Sequence, residues 1–319
     1  METLTSLEKM DLKDLKIASL GYGNMQKGIM QKLFEKNIVD KNKYQAIVRS
    51  EKSREILARE GLSVSLNHED IKEADLIFLS YKQDGFWAEK VWENMQGKTI
   101  VSIIAGIKPE DIAKKFVGAD IVQAMPNRGS VVGAGCTFLN FSRDFPAEKK
   151  EIVKKIFAES GAVYEVKDLQ ELNKSIIASA SMFGVIAFLR DKIHHVLNVS
   201  KNDEKSREFF NYFKKIVANI AIKHDFLPEF APEITEKTFQ GVEKLAEKFN
   251  YSDIQKSVTS KNGTTQAMIE YLENQNIEQL LREIFAENLL DKEKMQNFAR
   301  ILERSCAAGL LRARELSKK

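Results

Sequence analysis

Cysteine is nearly absent: Cys136 and Cys306 are the two in 319 residues. They build no disulfide framework and stand at no metal spacing to another Cys or His, which excludes a stapled secreted fold and points to a reducing compartment. Both read as packing residues, Cys136 in a strand and Cys306 in a helix. Proline (5) and glycine (16) are scarce, and 43% apolar with 30% charged residues fits a globular, helix-leaning chain. An excess of charge is missing too: 49 basic residues against 46 acidic ones leave +3, interleaved along the chain. No basic stripe is built, so nucleic acid is not an expected partner. Long hydrophobic runs are also lacking. The longest, residues 175–189, lies between Lys174 and Arg190. As a helix it spans about 22 Å, short of a hydrocarbon core of about 30 Å, so it reads as a buried helix and no membrane partner is expected. Residues 1–12 carry Glu2, Glu8, Lys9 and Asp11 without an apolar stretch, unlike a signal peptide. The expected location is the cytoplasm.

What is present divides the chain. Twelve of the sixteen glycines fall at or before Gly161, as a turn-rich α/β half preceding a helical half requires. In the first half, short apolar runs at 16–20, 44–48, 75–80, 99–104, 120–124 and 136–140 alternate with helical periods such as 25–35 and 53–60, the grammar of a parallel sheet with crossover helices. A strand pair is expected at 136–140 and 162–166 with a helix at 147–159 between them. Beyond residue 168 the pattern predicts helices at 169–197, 206–224, 234–249, 252–259, 266–273 and 277–318. The expected fold is therefore α/β: an extension at 1–14, a Rossmann-type dinucleotide-binding domain at 15–166, and an all-helical dimerisation and substrate domain at 167–319. The stretch 175–189 is apolar on all sides and needs cover on all sides. An interlocked partner subunit would give it, so a homodimer or larger homo-oligomer is expected.

Chemistry concentrates at Lys16-Ile-Ala-Ser-Leu-Gly21-Tyr22-Gly23-Asn24-Met25, a strand entering a glycine turn and then a helix. Gly21 permits the tight turn, Gly23 lets backbone approach a pyrophosphate, and the helix N-terminus offers N–H groups and partial positive charge. The third position of this fingerprint should be small, yet it is Gln26, and an ordinary βα turn is the competing reading. After the second strand an acidic residue would bind a ribose 2′-hydroxyl; the sequence instead has Arg49 and Ser50, with Glu51 and Lys52 following. That favours a 2′-phosphate, hence NADP(H) over NAD(H), although Arg49 and Lys52 could simply open a solvated helix face. His194 and His195 point about 100° apart on a helix and cannot chelate one ion, so no metal is expected. The basic residues of 300–319 read as a solvated face.

The segments Gly21-Tyr-Gly-Asn-Met25, Asp75-Leu-Ile-Phe-Leu-Ser-Tyr-Lys82, Val101-Ser-Ile-Ile-Ala-Gly-Ile107, Ala124-Met-Pro-Asn127 with Val132-Gly-Ala-Gly135, and Val258-Thr-Ser-Lys-Asn-Gly-Thr-Thr265 resemble, in order and approximate spacing, the pyrroline-5-carboxylate reductases over residues 15–275. The resemblance implies NADPH- or NADH-dependent reduction of the cyclic imine pyrroline-5-carboxylate to L-proline. It puts the pyrophosphate at Gly21 to Met25, the adenosine phosphate side at Arg49 and Ser50, a ribose contact at Asn67, and the nicotinamide beside Ser80, Lys82, Ala105, Gly106, Met125, Pro126 and Asn127. On the substrate side it implies that the turn Ser260-Lys261-Asn262-Gly263-Thr264-Thr265 holds the carboxylate through Ser260, Gly263 and Thr264, with Ser181 nearby. Thr265 would hydrogen-bond the imine nitrogen as the catalytic residue. Thr264 or Thr265 merely capping a helix is the competing reading.

The departures from that pattern are informative. The family's serine–glycine–serine–glycine–proline–alanine–tyrosine stretch reads Ser179-Ala180-Ser181-Met182-Phe183-Gly184-Val185 here, so the kink is expected to be lost and the site bulkier. Gln83 replaces the Pro after Lys82. Arg128 stands where the family has Thr, and with Lys261 it would suit a more negatively charged substrate. Residues 273–294 look inserted, without an assigned role. A reductase of another imine or keto acid, or a non-catalytic NADPH-binding regulatory protein, are the alternatives that these departures leave open.

Overall fold

Eight strands form one sheet in the order β3-β2-β1-β4-β5-β6-β7-β8, as seen in a computed structural model that describes residues 11–200, 203–286 and 289–317. They are β1 (Ile17–Leu20), β2 (Tyr44–Ile47), β3 (Ser63–Ser65), β4 (Leu76–Leu79), β5 (Thr99–Ser102), β6 (Asp120–Pro126), β7 (Gly135–Phe141) and β8 (Gly161–Glu165). From β3 to β6 each pair is parallel, and β7 runs antiparallel to β6. Helices α1 (Asn24–Glu35), α2 (Glu51–Arg59), α3 (Gln83–Ala88), α4 (Pro109–Lys115) and α5 (Ala147–Ala158) connect them. Strands β1, β4 and β5 are buried at every residue, because helices cover both faces of a parallel sheet. One face packs Ile17, Phe78 and Val101 on Ile29, Leu33 and Phe157. The other packs Leu20, Ile77 and Ile100 on Phe86, Trp92 and Phe116. The order reverses between β1 and β4, and a parallel sheet binds ligands beyond the strand ends at such a switch point. Strand β3 escapes the sequence pattern because its three residues, Ser-Val-Ser, form no apolar run.

The remaining helices are α6 (Leu169–Ala178), α7 (Met182–Asp191), α8 (Glu204–Lys223), α9 (Ala231–Ala246), α10 (Tyr251–Val258), α11 (Thr264–Asn274), α12 (Ile277–Ala286) and α13 (Lys292–Leu316). Phe209, Phe210, Phe213, Phe239 and Phe298 form an aromatic centre with ring centroids 5.0 to 6.3 Å apart, and packing of this kind, more than propensity, holds the helices. Two compact units result: residues 1–126 with 137–169, and residues 127–136 with 170–319.

Three expectations are corrected. The helix expected over 277–318 is two, α12 and α13, because the Asp291 carboxylate accepts from Lys294 N (2.8 Å) and starts a new helix; residues 287–288 and 318–319 lie outside the described residues, as does the extension over 1–10. The helix over 169–197 breaks at residues 179–181. The stretch 175–189 needs no partner to cover it: Met182 to Leu189 are each at most 6% exposed within the single chain. By length and composition the segment 169–196 could cross a membrane, but 83% of its apolar window is buried within the structure.

Candidate active site

Gly21 leaves β1 with φ +88, and a Cβ there would stand 3.1 Å from the Ser80 carbonyl carbon and the Tyr81 nitrogen, so only glycine fits. Its nitrogen donates to the Ile47 carbonyl (2.8 Å), and the Ser80 hydroxyl donates back to the Gly21 carbonyl (2.7 Å). Three strand ends are thus tied together. Gly23 is the N-cap of α1 and supplies no side-chain cap. Lys27 is the first α1 residue whose N–H reaches a carbonyl, that of Gly23 (2.9 Å), leaving the N–H groups of Asn24, Met25 and Gln26 without intrahelical partners.

The cleft in front of this turn has a volume of about 720 Å³ and is lined by Gly21 to Gly23, Arg49, Ser50, Ser53, His68 and Ser80 to Lys82. Ser50 caps α2, accepting from Ser53 N (3.2 Å) and meeting the Ser53 hydroxyl at 2.8 Å. The Glu51 carboxylate turns along α2 to Arg54 Nε (2.8 Å), away from the acidic role that would suit a ribose diol. Among the described residues, the side chains of Arg49 and Lys82 have neither a hydrogen bond nor an ion pair. A cradle that a Cβ would fill, an open helix N-terminus and two unpaired cations fit the phosphates of a nicotinamide dinucleotide.

Behind the turn, the Tyr44 hydroxyl meets the Ser19 hydroxyl at 2.6 Å. Gln26, fully buried beside that phenol, makes no hydrogen bond of good geometry. The large third position of the fingerprint is therefore accommodated in a buried polar pocket under α1. Burial holds the Tyr22 and Tyr44 hydroxyls well above the ordinary phenol range.

Not every expected contact reaches the cleft. The Asn67 amide is spent locally, accepting from Glu69 N (3.2 Å) and donating to Asp70 (2.8 Å). It is His68, with Nδ1 3.1 Å from the Glu89 carboxylate, that lines the cavity instead. Ala105 and Gly106 follow β5, where the Gln83 amide donates to the Ala105 carbonyl (2.6 Å); Met125 and Pro126 end β6. These four lie at carboxyl ends of strands but do not line that cavity. His68, Tyr81 and Ser53 were not read from the sequence. Only their neighbours Asn67, Lys82 and Ser50 signalled the region.

In the helical unit the break between α6 and α7 persists without glycine or proline, because outside side chains hold it. Asn127 Nδ2 donates to the Ser179 hydroxyl (3.0 Å) while its Oδ1 accepts from Gly129 N (3.1 Å) and Cys136 N (3.2 Å). Both Ser179 N and Ala180 N turn to the Ser175 carbonyl (2.9 and 3.0 Å), and the Ser181 hydroxyl meets that of Thr264 at 2.7 Å. Asn127 thus belongs to this unit, as do Ser181 and the turn at Ser260.

That turn closes through Asn262 at φ +58, a left-handed geometry that Asn tolerates. Gly263 donates to the Ser260 carbonyl (3.0 Å), and Asn262 N donates to the Gln266 side chain (2.7 Å). Gly263, not a threonine, is the N-cap of α11, so the capping reading of Thr264 and Thr265 fails. With Gly263 N–H taken and Ala267 the first α11 residue whose N–H reaches a carbonyl, the N–H groups of Thr264, Thr265 and Gln266 are the donors left for an anion. Thr265 is 5% exposed; its Cγ2 is the nearest neighbour to a Cβ built at Gly184, and its hydroxyl makes no hydrogen bond among the described residues. The cysteines do pack: Cys136 Sγ faces the Ile234 carbonyl (3.9 Å), and burial pushes both thiols up to about 12. His194 turns Nδ1 to the Val199 carbonyl (2.9 Å) and stacks on Phe210 and Tyr251.

Two family models match the chain. The dimerisation domain of pyrroline-5-carboxylate reductase covers residues 207–295, and the coenzyme F420-dependent NADP oxidoreductase domain covers residues 16–106. A pyrroline-5-carboxylate reductase of Staphylococcus epidermidis is 24% identical over 272 residues, 82% of this chain and 91% of the relative. That of Staphylococcus haemolyticus is 27% identical over 287 residues, 84% and 93% respectively. A solved pyrroline-5-carboxylate reductase of Coxiella burnetii, 21% identical, superposes with a TM-score of 0.54 over 96% of this chain and 99% of that one, sharing the fold. With its sheet domain and its helical domain each matched by one of these models, and with relatives matched along most of both chains, this protein is an oxidoreductase similar to the pyrroline-5-carboxylate reductases.

Proposed function

We propose that the chain reduces the cyclic imine pyrroline-5-carboxylate to L-proline with NADPH, with NADH a poorer donor, as a cytoplasmic homodimer or larger assembly. The observation that carries this reading is Thr265: a nearly buried hydroxyl without a partner, one residue from Thr264 and beside an uncapped helix N-terminus. When bound, the nicotinamide supplies a hydride to the imine carbon. The C=N electron pair then passes to nitrogen, which takes a proton. Gly21 and Gly23 admit the pyrophosphate to the N–H groups of α1, and Arg49 with Ser50 and Ser53 receives a 2′-phosphate. At the start of α11, the free N–H groups and the helix dipole favour the substrate carboxylate. Ser181 fixes Thr264, so the next residue presents its hydroxyl in one orientation. A threonine hydroxyl is too weak an acid to protonate the imine itself. It orients the nitrogen and passes a proton from water.

The test is a coupled assay with pyrroline-5-carboxylate and each reduced nicotinamide in turn, with proline-dependent NADP⁺ reduction at high pH as its reverse. Thr265→Val is expected to lower kcat by two decades or more, within the usual range for proton-transfer groups, while NADPH binding is unchanged. Full kcat in that variant would remove Thr265 from catalysis. Tight NADPH binding with no turnover of any cyclic imine would leave the regulatory reading instead.

A further inference from the structure

Arg128 opens the short turn Arg128–Val132 directly after β6. Its Nε is buried without a hydrogen-bond partner. Among the described residues, no part of the guanidinium has an ion pair or hydrogen bond. Burial alone shifts its pKa, downward, with no carboxylate close enough to offset the loss of water. A half-buried cation without a counter-ion is costly, and such groups are retained where the anion arrives with a ligand.

Its surroundings indicate which ligand. The preceding residue, Asn127, holds Ser179 at the break before α7; two residues on, Ser181 holds Thr264 at the start of α11. The backbone of Arg128 is therefore fixed, through two side-chain bonds within the helical unit, to the segment whose N–H groups receive the first carboxylate. Lys261, exposed on the turn before α11, adds a second cation without a partner among the described residues. Arg312 Nε holds that turn through the Asn262 carbonyl (2.7 Å) but is neutralised by Glu315.

We propose that Arg128 is a specificity-determining residue that receives a second carboxylate of the substrate, so that the preferred substrate is a cyclic imine bearing two carboxylates. The inference rests on the imine-reductase chemistry of the proposed function and revises its substrate: pyrroline-5-carboxylate, with one carboxylate, is then turned over less well than a dicarboxylate imine. The experiment has two arms. In the first, the NADP⁺-loaded protein is titrated calorimetrically with pyridine-2-carboxylate and pyridine-2,6-dicarboxylate, flat rings that differ by one carboxylate. In the second, NADPH consumption is followed with 1-piperideine-6-carboxylate and 1-piperideine-2,6-dicarboxylate.

The wild type is expected to favour the dicarboxylate about ten- to a hundredfold, the range of one charge-assisted contact. Arg128→Gln should erase that preference through KM and leave the KM for NADPH unchanged; Arg128→Lys, which keeps the charge should the first variant fold poorly, should keep part of it. Equal handling of both acids by the wild type overturns the proposal, as does an equal loss for both in the variants. A rise in the KM for NADPH alone would assign the guanidinium to cofactor phosphate and overturn it as well. If no imine is turned over but the Arg128-dependent calorimetric preference remains, the second-anion site stands and the reductase reading falls.

Discussion

Gly184 in α7 stands at a close approach to the residue on which the proposed reaction depends. A Cβ at this position would sit 2.5 Å from Thr265 Cγ2 and 2.8 Å from Val258 Cγ2, about 1 Å inside ordinary van der Waals contact. The family resemblance sets an alanine here, whereas glycine in this chain leaves room for Thr265 and Val258 against α7. Gly184→Ala gains roughly 0.5–1 kcal/mol of helix propensity. Overpacking costs about 1–3 kcal/mol, so the net change should be a destabilisation of about 0–2.5 kcal/mol, read as a fall of a few degrees in Tm. Function should suffer more, because the methyl group pushes on Thr265, whose hydroxyl is proposed above to orient the imine nitrogen. A displacement of about 1 Å at a catalytic group costs on the order of a hundredfold. Steady-state NADPH consumption should show kcat down ten- to a hundredfold with the KM for NADPH unchanged. Thr265→Ser keeps the hydroxyl and deletes Cγ2, so the double variant Gly184→Ala with Thr265→Ser should recover most of the lost kcat. A single variant within twofold of wild type, or a double variant no better than the single one, would refute the link between this close approach and turnover.

Arg49→Gln should raise the KM for NADPH about tenfold and leave that for NADH within twofold, since an exposed guanidinium lies at the low end of charge-assisted contacts; a parallel rise for both cofactors would count against a 2′-phosphate role. The thiols of Cys136 and Cys306 lie at about 12 when folded against the ordinary 9.0. Their contribution to stability is full below pH 9 and is lost as the pH rises from there toward 12. Urea midpoints should fall across that window, and a thiol-specific chromogenic disulfide at pH 8 should label neither cysteine until the protein is unfolded. Asp291→Ala removes the cap of α13 and should cost about 1 kcal/mol, measured by chemical denaturation; no change would mean that α13 starts without it.

What the sequence made legible follows the range of the forces involved. Buried parallel strands are continuous apolar runs, so β1, β4 and β5 announce themselves, and Gly21 is visible because a strand–turn–helix passage needs it within a few residues. Thr265 was singled out by the resemblance alone, since the local pattern reads equally as a helix cap. The break before α7 was not legible, since it is made by Asn127, 52 residues from Ser179, and by Thr264, 83 residues from Ser181. His68 and Tyr81 reach the cleft through packing that no local pattern encodes. Asn67, expected at a ribose, has its side chain engaged locally, accepting from the backbone N–H two residues on and donating to the Asp70 carboxylate. Asp291 carried a readable cap signal, but the apolar period on either side of it masks the interruption.

The segment 127–136 leaves the sheet at the end of β6, joins the helical unit, and returns as β7. No single cut therefore divides the polypeptide into two self-sufficient halves. A gene fusion or recombination event with its junction near residue 169 would inherit the ten-residue excursion on one side and Ser179, its anchor, on the other. Exchange of cofactor modules between relatives of this protein must carry both pieces together, and a shuffled library built on one crossover should be depleted of folded members.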